Sequence, residues 1–222
     1  RHSNGTGTDE TVVQGNYVGT DLSGVCALPN GTGIRIGSGS RETRVGGDEE
    51  GQGNLISGNS TAGLAIAGRD SLVQGNTVGT AVDGLTALGN GSHGVELREG
   101  AVNNTIGGVA RAAQCHGGCN LIAGNGGNGV YLIDAHTTDN VVSGNFIGSD
   151  RSGEIDLGNA LLGLHVDLDA NHNQIGGDSS GNAIRFNEGG GVVLGRRSSN
   201  NLLAGNHIER NRGNAIRYQP GN

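Results

Sequence analysis

The sequence has 222 residues, of which 46 are glycine, while its aromatic residues are only three tyrosines and two phenylalanines. Glycine costs about 1 kcal/mol at a helical position relative to alanine, so a packed helical domain is excluded, and the lack of a strict third-residue glycine excludes collagen. The 21 acidic and 14 basic residues give a net charge of -7, which repels phosphate backbones and argues against a nucleic-acid partner.

No run of residues approaches the roughly 18 consecutive apolar positions of a membrane-spanning helix, so the sequence predicts no membrane span. No secretory signal is visible at the start. Methionine is absent, and a chain without an initiator is expected to be a processed product or a piece of a longer polypeptide.

Three kinds of short segment recur in chain order. The first reads VVQGNYVGTD at residues 12–21, LVQGNTVGT at 72–80 and VVSGNFIGSD at 141–150. The second reads NLISGN at 54–59, NLIAGN at 120–125, NAIRFN at 182–187 and NLLAGN at 201–206. The third is a glycine followed by an apolar, a variable and an apolar residue, and it begins at Gly33, Gly63, Gly94, Gly129, Gly163 and Gly191.

Each segment alternates apolar and other residues between turn-forming Gly, Asn, Asp or Ser, which is typical of a short strand between tight bends. Strands this short bury a core only when successive copies of the repeat stack on one another. The sequence therefore predicts an all-β protein, a single-stranded parallel β-helix (β-solenoid) with about three strands per turn and roughly seven turns. We expect a single domain over residues 1–222, with an irregular N-terminal segment at 1–10 and a C-terminal tail at 219–222.

The asparagine of each Gly-Asn pair is expected to adopt the left-handed conformation at a bend. Its amide can also bond to the amide one turn away and form a ladder. The predicted ladder residues are Asn16, Asn59, Asn76, Asn125, Asn145 and Asn206.

These alternating segments, which cover nearly all of residues 11–218, resemble the right-handed parallel β-helix repeat of the pectate-lyase-like superfamily and of large bacterial secreted or surface proteins. The resemblance implies a right-handed coil and an extracellular or cell-surface location. It does not specify function, because this architecture carries polysaccharide lyases, hydrolases, epimerases, adhesins and structural spines.

One stretch of the predicted outer surface collects polar residues. The third residue of each Gly-initiated strand should point outward, and stacking should then place Tyr131 directly beside His165. The candidate surface site comprises Tyr131, Asp134, His165, Asp167 and Asp169, with His136, Asp139 and His172 nearby. Carboxylates and a histidine could act as acid and base on a uronic sugar or bind Ca²⁺, yet Asp, Asn and His are also ordinary bend residues. The Asp-Asp with Gly-His-Gly and Asp-Pro-His motifs of the resembling enzymes are absent, which weakens the case for an enzyme.

The loops that begin at residues 19, 79 and 148 contain Asp21 and Asp150 as candidate calcium ligands, but a calcium loop of the EF type needs more acids at fixed offsets. We favour protruding loops closed by Asx turns, and we expect no metal site and no cofactor.

Cys115 and Cys119 are predicted to form a local disulfide, because their spacing does not fit a standard zinc site. Cys26 is left as a buried thiol or an intermolecular partner.

The first predicted function is a non-catalytic extracellular structural solenoid, a surface or filament component. The sequence shows no polar cap at either end of the repeat, which predicts head-to-tail self-association or further turns of a longer chain. The alternative is a carbohydrate-active or carbohydrate-binding β-helix that acts on acidic polysaccharide through the candidate surface site.

Overall fold

The structure, a computed structural model, describes residues 9–108 and 114–219. Within these residues the chain contains no helix and forms three parallel sheets of seven strands each, which is the predicted β-solenoid of seven turns. Residues 1–8 of the predicted irregular segment and residues 220–222 of the predicted tail lie outside the described part of the chain.

Every strand has between two and five residues. In chain order the strands are β1 (Val12–Val13), β2 (Tyr17–Val18), β3 (Ile34–Ile36), β4 (Arg44–Gly46), β5 (Leu55–Ile56), β6 (Leu64–Ile66), β7 (Leu72–Gln74), β8 (Thr77–Val78), β9 (Val95–Leu97), β10 (Thr105–Gly107), β11 (Leu121–Ile122), β12 (Val130–Leu132), β13 (Val141–Ser143), β14 (Phe146–Ile147), β15 (Leu162–Val166), β16 (Gln174–Gly176), β17 (Ala183–Arg185), β18 (Gly190–Leu194), β19 (Leu202–Ala204), β20 (His207–Glu209) and β21 (Ile216–Tyr218). Three consecutive strands make one coil, numbered 1 to 7 along the chain.

Each coil gives one strand to each sheet, so every strand pairs with the strand three places along the chain. The first sheet holds β1 and every third strand after it, the second sheet begins with β2, and the third sheet begins with β3. Because all pairs are parallel and in register, a residue stacks on its equivalents in the coils above and below, about 4.8 Å away.

The core is built from columns of equivalent apolar residues. In the second sheet, for example, Ile56, Val78 and Ile122 occupy one inward column and are fully buried. Single strands have too little apolar surface to form a core of their own, so the hydrophobic stabilisation belongs to the stack of coils.

Asparagine ladders run along the bends, as predicted, but the six predicted residues divide between two ladders. The first ladder joins neighbouring side-chain amides at 2.8–3.0 Å and consists of Asn16, Asn54, Asn76, Asn120, Asn145, Asn182 and Asn206. The second ladder, at 2.9–3.1 Å, consists of Asn30, Asn59, Asn90, Asn125, Asn159, Asn187 and Asn211. A third and shorter ladder consists of Asn104, Asn140, Asn173 and Asn201.

The prediction that the ladder asparagines adopt the left-handed conformation is wrong. The residue before the asparagine adopts it instead: Gly58 has a φ of 71° and Gly124 a φ of 72°. This arrangement leaves the asparagine free to aim its amide along the solenoid axis. Where the repeat lacks glycine, Phe186 takes the same conformation at a φ of 61°, so the bend geometry is kept at a steric cost.

The long connections alternate between the two ends of the second-sheet strands. Coils 1, 3 and 5 carry a hairpin after their second-sheet strand, at residues 19–30, 79–90 and 148–159. In coils 2, 4 and 6 the long connection precedes that strand instead. The tight bend at Gly58 donates its N–H to the carbonyl of Leu88, and Gly124 donates to Leu157. A two-stranded hairpin is about as wide as two coils. One hairpin therefore covers its own coil and the tight bend of a neighbouring coil.

Candidate functional site

The outward column of the third sheet has the predicted register. Its members, in order along the axis, are Arg35, Ala65, Glu96, Tyr131, His165, Val193 and Arg217. Side chains that could take part in binding or in acid–base chemistry concentrate in coils 3 to 5, where Glu96, Tyr131 and His165 are direct neighbours.

Three rings stack along the axis at this point. The centroid of Tyr131 lies 5.0 Å from that of His165 at an interplanar angle of 16°, and 4.8 Å from that of His93 at 51°. His93 precedes its strand and was not predicted, because the candidate residues were taken from the strands and from the bends that follow them. One ring face of Tyr131 is therefore covered by His165, while the His93 ring is tilted against it.

Carboxylates surround the phenol. Burial raises the pKa of Tyr131 to about 12, and the negative charges of Asp167, Glu96 and Asp134 add to this shift. The hydroxyl thus keeps its proton to a higher pH than an ordinary tyrosine does, and it can act as a hydrogen-bond donor. Glu96 is itself held by Arg98, whose Nη1 lies 3.5 Å from its carboxylate.

The two histidines are neutral at physiological pH. Burial lowers the pKa of His165, against the opposing effect of Asp167, and burial likewise lowers the pKa of His93, against Glu96. The Nε2 atom of His165 lies 3.8 Å from Asp167, is buried and has no hydrogen-bond partner. A ligand at the surface would therefore have no direct access to this nitrogen as a proton acceptor.

The remaining predicted site residues shape the bends beside this column. Asp134 and Asp169 have positive φ values of 81° and 69°, and His136 and His172 share this conformation. Asp169 forms an ion pair with Arg197 at 3.0 Å. The structure thus brings Tyr131, His165 and Asp167 together, with Asp134 close enough to act on the phenol, whereas Asp169 pairs with Arg197 instead.

The aspartates of the hairpins close turns. Asp21 accepts hydrogen bonds from the Ser23 hydroxyl and from the N–H groups of Val25 and Cys26, and these bonds, that of Ser23 foremost, lower its pKa. Asp150 plays the same part in the third hairpin. Among residues 9–108 and 114–219, no three His, Cys, Asp or Glu side chains converge as a metal site.

A disulfide joins Cys115 and Cys119, with an S–S distance of 2.03 Å, and both residues are fully buried. Arg151 fixes this segment to the third hairpin, because its guanidinium donates to the carbonyl of Cys115 and to the hydroxyl of Thr77. Cys26 is a free and exposed thiol, which excludes the buried alternative.

A cleft of about 740 Å³ on the outer face of the second sheet was not predicted. Tyr17, Leu55 and Thr77 of one outward column line it, together with the acidic residues 48–50 and with Arg151. These residues are far apart in sequence and converge only through stacking. The acidic run at 48–50 was the sole sequence signal, and it gives no position in space.

No helix within the described residues is long and apolar enough to cross a membrane. No protein-family model, no curated protein and no solved structure matches this chain. The parallel β-solenoid is thus established by geometry, and the resemblance to the pectate-lyase-like superfamily has no homologue to support it.

Proposed function

We propose that this protein is a non-catalytic structural β-solenoid, an extracellular surface or filament component whose copies stack coaxially, head to tail. The observation that carries this proposal is the unbroken stacking of seven coils with side-chain ladders along their bends. The ladders tie each coil to both of its neighbours. The side-chain Nδ2 of Asn125, for example, donates to the Oδ1 of Asn159 in the next coil and to the backbone carbonyl of Val78 in the coil before. Such bonding favours a stiff rod over a hinged molecule.

The direction of the ladders supports coaxial stacking. In the second ladder every Nδ2 donates toward the higher-numbered coil, so coil 1 offers the Oδ1 acceptor of Asn30 and coil 7 the amide of Asn211. Coil 7 also exposes apolar groups of the inward columns, including Ile216 at 45% and Tyr218 at 71%. A further coil placed in register, from a second copy or from more of a longer chain, would continue both the ladder and the apolar column. Where a second copy supplies it, the contact is heterologous and builds a filament.

The location and the family are also part of this proposal. The Cys115–Cys119 disulfide supports an oxidising, extracellular compartment. The three-sheet coil supports a place in the right-handed, pectate-lyase-like group of parallel β-helices.

Sedimentation and electron microscopy over a range of protein concentrations test the proposed assembly. We expect fibres whose length grows with concentration. An Ile216→Arg variant should abolish them, because it places a charge in the axial contact, while the matched Val82→Arg variant on the lateral hairpin surface should not. Monomers at every concentration would contradict coaxial stacking.

Binding of acidic polysaccharide is the second candidate function. The observation that favours carbohydrate binding at this face is the Tyr131 hydroxyl among Glu96, Asp134 and Asp167, which offers a donor and acceptors to the hydroxyl groups of a sugar. The stacking of His165 on one face of Tyr131 and the buried Nε2 of His165 favour binding over catalysis. Titration of uronic oligosaccharides into the wild type and a Tyr131→Phe variant tests it: equal or absent binding would exclude this face.

A further inference from the structure

Four Asn-Gly pairs lie in the described part of the chain, at Asn30–Gly31, Asn90–Gly91, Asn125–Gly126 and Asn128–Gly129. In water such a pair can rearrange, because the backbone nitrogen of the glycine attacks the side-chain carbonyl of the asparagine. Glycine permits this attack best, since it has no Cβ to hinder the required backbone rotation. The attack also requires that the glycine N–H can lose its proton and that the asparagine side chain can turn.

Three of the pairs are blocked on both counts. Gly91 donates its N–H to the carbonyl of Asn59 at 2.8 Å, and Gly126 donates to Asn90 at 2.9 Å. Gly129 donates in the same way to Leu162. Their asparagines are at most 4% exposed. Reaction at these pairs therefore requires local opening of the stack.

The first pair differs from the other three. Asn30 is exposed, and its side chain is held by a 3.1 Å hydrogen bond from its Nδ2 to Asn59. Among the described residues, no group donates to the Oδ1 of Asn30, and the N–H of Gly31 has no backbone acceptor. Within the described part of the chain, the glycine nitrogen is thus free of a backbone hydrogen bond, and the asparagine is exposed and held by one side-chain bond.

We infer that Asn30 is a modification site, at which the second asparagine ladder undergoes spontaneous deamidation. Hydroxide removes the amide proton of Gly31, the nitrogen forms a bond to Cγ of Asn30, and the Cγ–Nδ2 bond breaks to release ammonia. Water then opens the resulting succinimide at one of its two carbonyls and leaves aspartate or isoaspartate. Water is the only co-reactant, and no electrons are transferred.

The product changes the end of the second ladder. The Nδ2 of Asn30 is now a donor to the Oδ1 of Asn59; a carboxylate in its place sets an acceptor against an acceptor. The conversion also adds one negative charge to a chain that already carries -7. Coil 1 therefore loses a side-chain contact to coil 2 as the protein ages, while coils 2 to 7 keep theirs.

Peptide mapping by mass spectrometry tests the inference. The folded chain is incubated at mildly alkaline pH in ¹⁸O-labelled water, at a dilution where sedimentation shows single chains, so that stacking of copies cannot shield coil 1. We expect Asn30 to convert at least about tenfold faster than Asn90, Asn125 and Asn128, because only these three require local opening. In concentrated urea the four rates should become similar.

A Gly31→Ala variant provides the matched control. A Cβ at this position meets no atom within 4 Å, so the fold should be unchanged while the attack is hindered, and conversion of Asn30 should slow by about tenfold. The same change at Gly91 would overlap the carbonyl oxygen of Ser60 and is unsuitable. Equal rates at Asn30 and Asn90 in the folded chain, or an unchanged rate in Gly31→Ala, would overturn the inference.

Discussion

The inner and outer sides of the third sheet differ sharply, although they alternate along the same strands. In β12, Val130 and Leu132 face inward and are fully buried, and their columns stay apolar through the neighbouring coils. Tyr131, between them, belongs to an outward column in which an arginine, an alanine, a glutamate, a histidine and a valine also occur. An inward residue must fit the coils above and below as well as the opposite sheets, whereas an outward residue has to fit only its neighbours in the column and the bends beside it. Positions that repeat as apolar residues along the sequence therefore indicate which side chains form the interior.

The largest expected loss of stability comes from removing a buried asparagine of the second ladder. Asn125→Ala removes the acceptor for two hydrogen bonds from Asn90 and the donor to Asn159 and Val78. Because each buried group left unpaired costs about 1–3 kcal/mol, the free energy of unfolding should fall by at least about 4 kcal/mol in urea titrations. The control is Asn30→Ala at the exposed end of the ladder, with an expected loss of about 1 kcal/mol or less. Similar losses in both variants would contradict the difference between interior and end.

A smaller, pH-dependent effect is expected from the outward ring stack. The pKa values of His93 and His165 are lowered by burial from an ordinary 6.5, so below pH 6.5 the unfolded chain binds protons that the folded chain does not. Stability should therefore decline as the pH falls below 6.5, down to the folded-state pKa values. A double variant, His93→Gln with His165→Gln, should flatten this decline in urea midpoints measured against pH.

The alkaline side gives an independent check on the same stack. The pKa of Tyr131 is raised from 10.0 to about 12, so between these values the unfolded phenol loses its proton while the folded one keeps it. Stability should fall as the pH rises through this window, and Tyr131→Phe should remove the effect. A decline that persists in Tyr131→Phe but disappears in Tyr218→Phe would locate the perturbed phenol elsewhere.

The smallest effect is expected at the outermost charges. Arg35 and Glu99 form an ion pair at 3.1 Å, but their side chains are 62% and 39% exposed. Exposed pairs contribute about 0–1 kcal/mol, so Arg35→Ala should change the free energy of unfolding by less than about 0.5 kcal/mol. A loss comparable to that of Asn125→Ala would show that the outer column contributes more to stability than its exposure indicates.

Sequence reasoning succeeded where each coil repeats the same contact. The repeated segments at residues 54–59 and 120–125 predicted strands, stacking and the pairing of Tyr131 with His165, because identical positions in a solenoid have identical neighbours. The division of the asparagines into two ladders was missed, since Gly58–Asn59 and Gly75–Asn76 look alike in sequence but lie at different corners of the coil. The pattern shows that an amide stacks, but not at which corner.

The candidate site was predicted less completely, because its neighbours are not repeated. His93 joins the ring stack from a bend, and no equivalent histidine occurs in the adjoining coils to indicate this. The cleft beside Tyr17 depends on how far the hairpins fold over the second sheet, which sequence spacing does not reveal.

The alternation of hairpins with tight bends restricts how this molecule can change in length. Equivalent glycines that open the hairpins, Gly19, Gly79 and Gly148, are separated by 60 and 69 residues, which is two coils each time. Deleting a single coil would crowd two hairpins into the width of one, and duplicating a single coil would leave a bend uncovered. Growth and loss by recombination should therefore be tolerated only in pairs of coils, so the evolutionary unit of this rod is twice its structural unit.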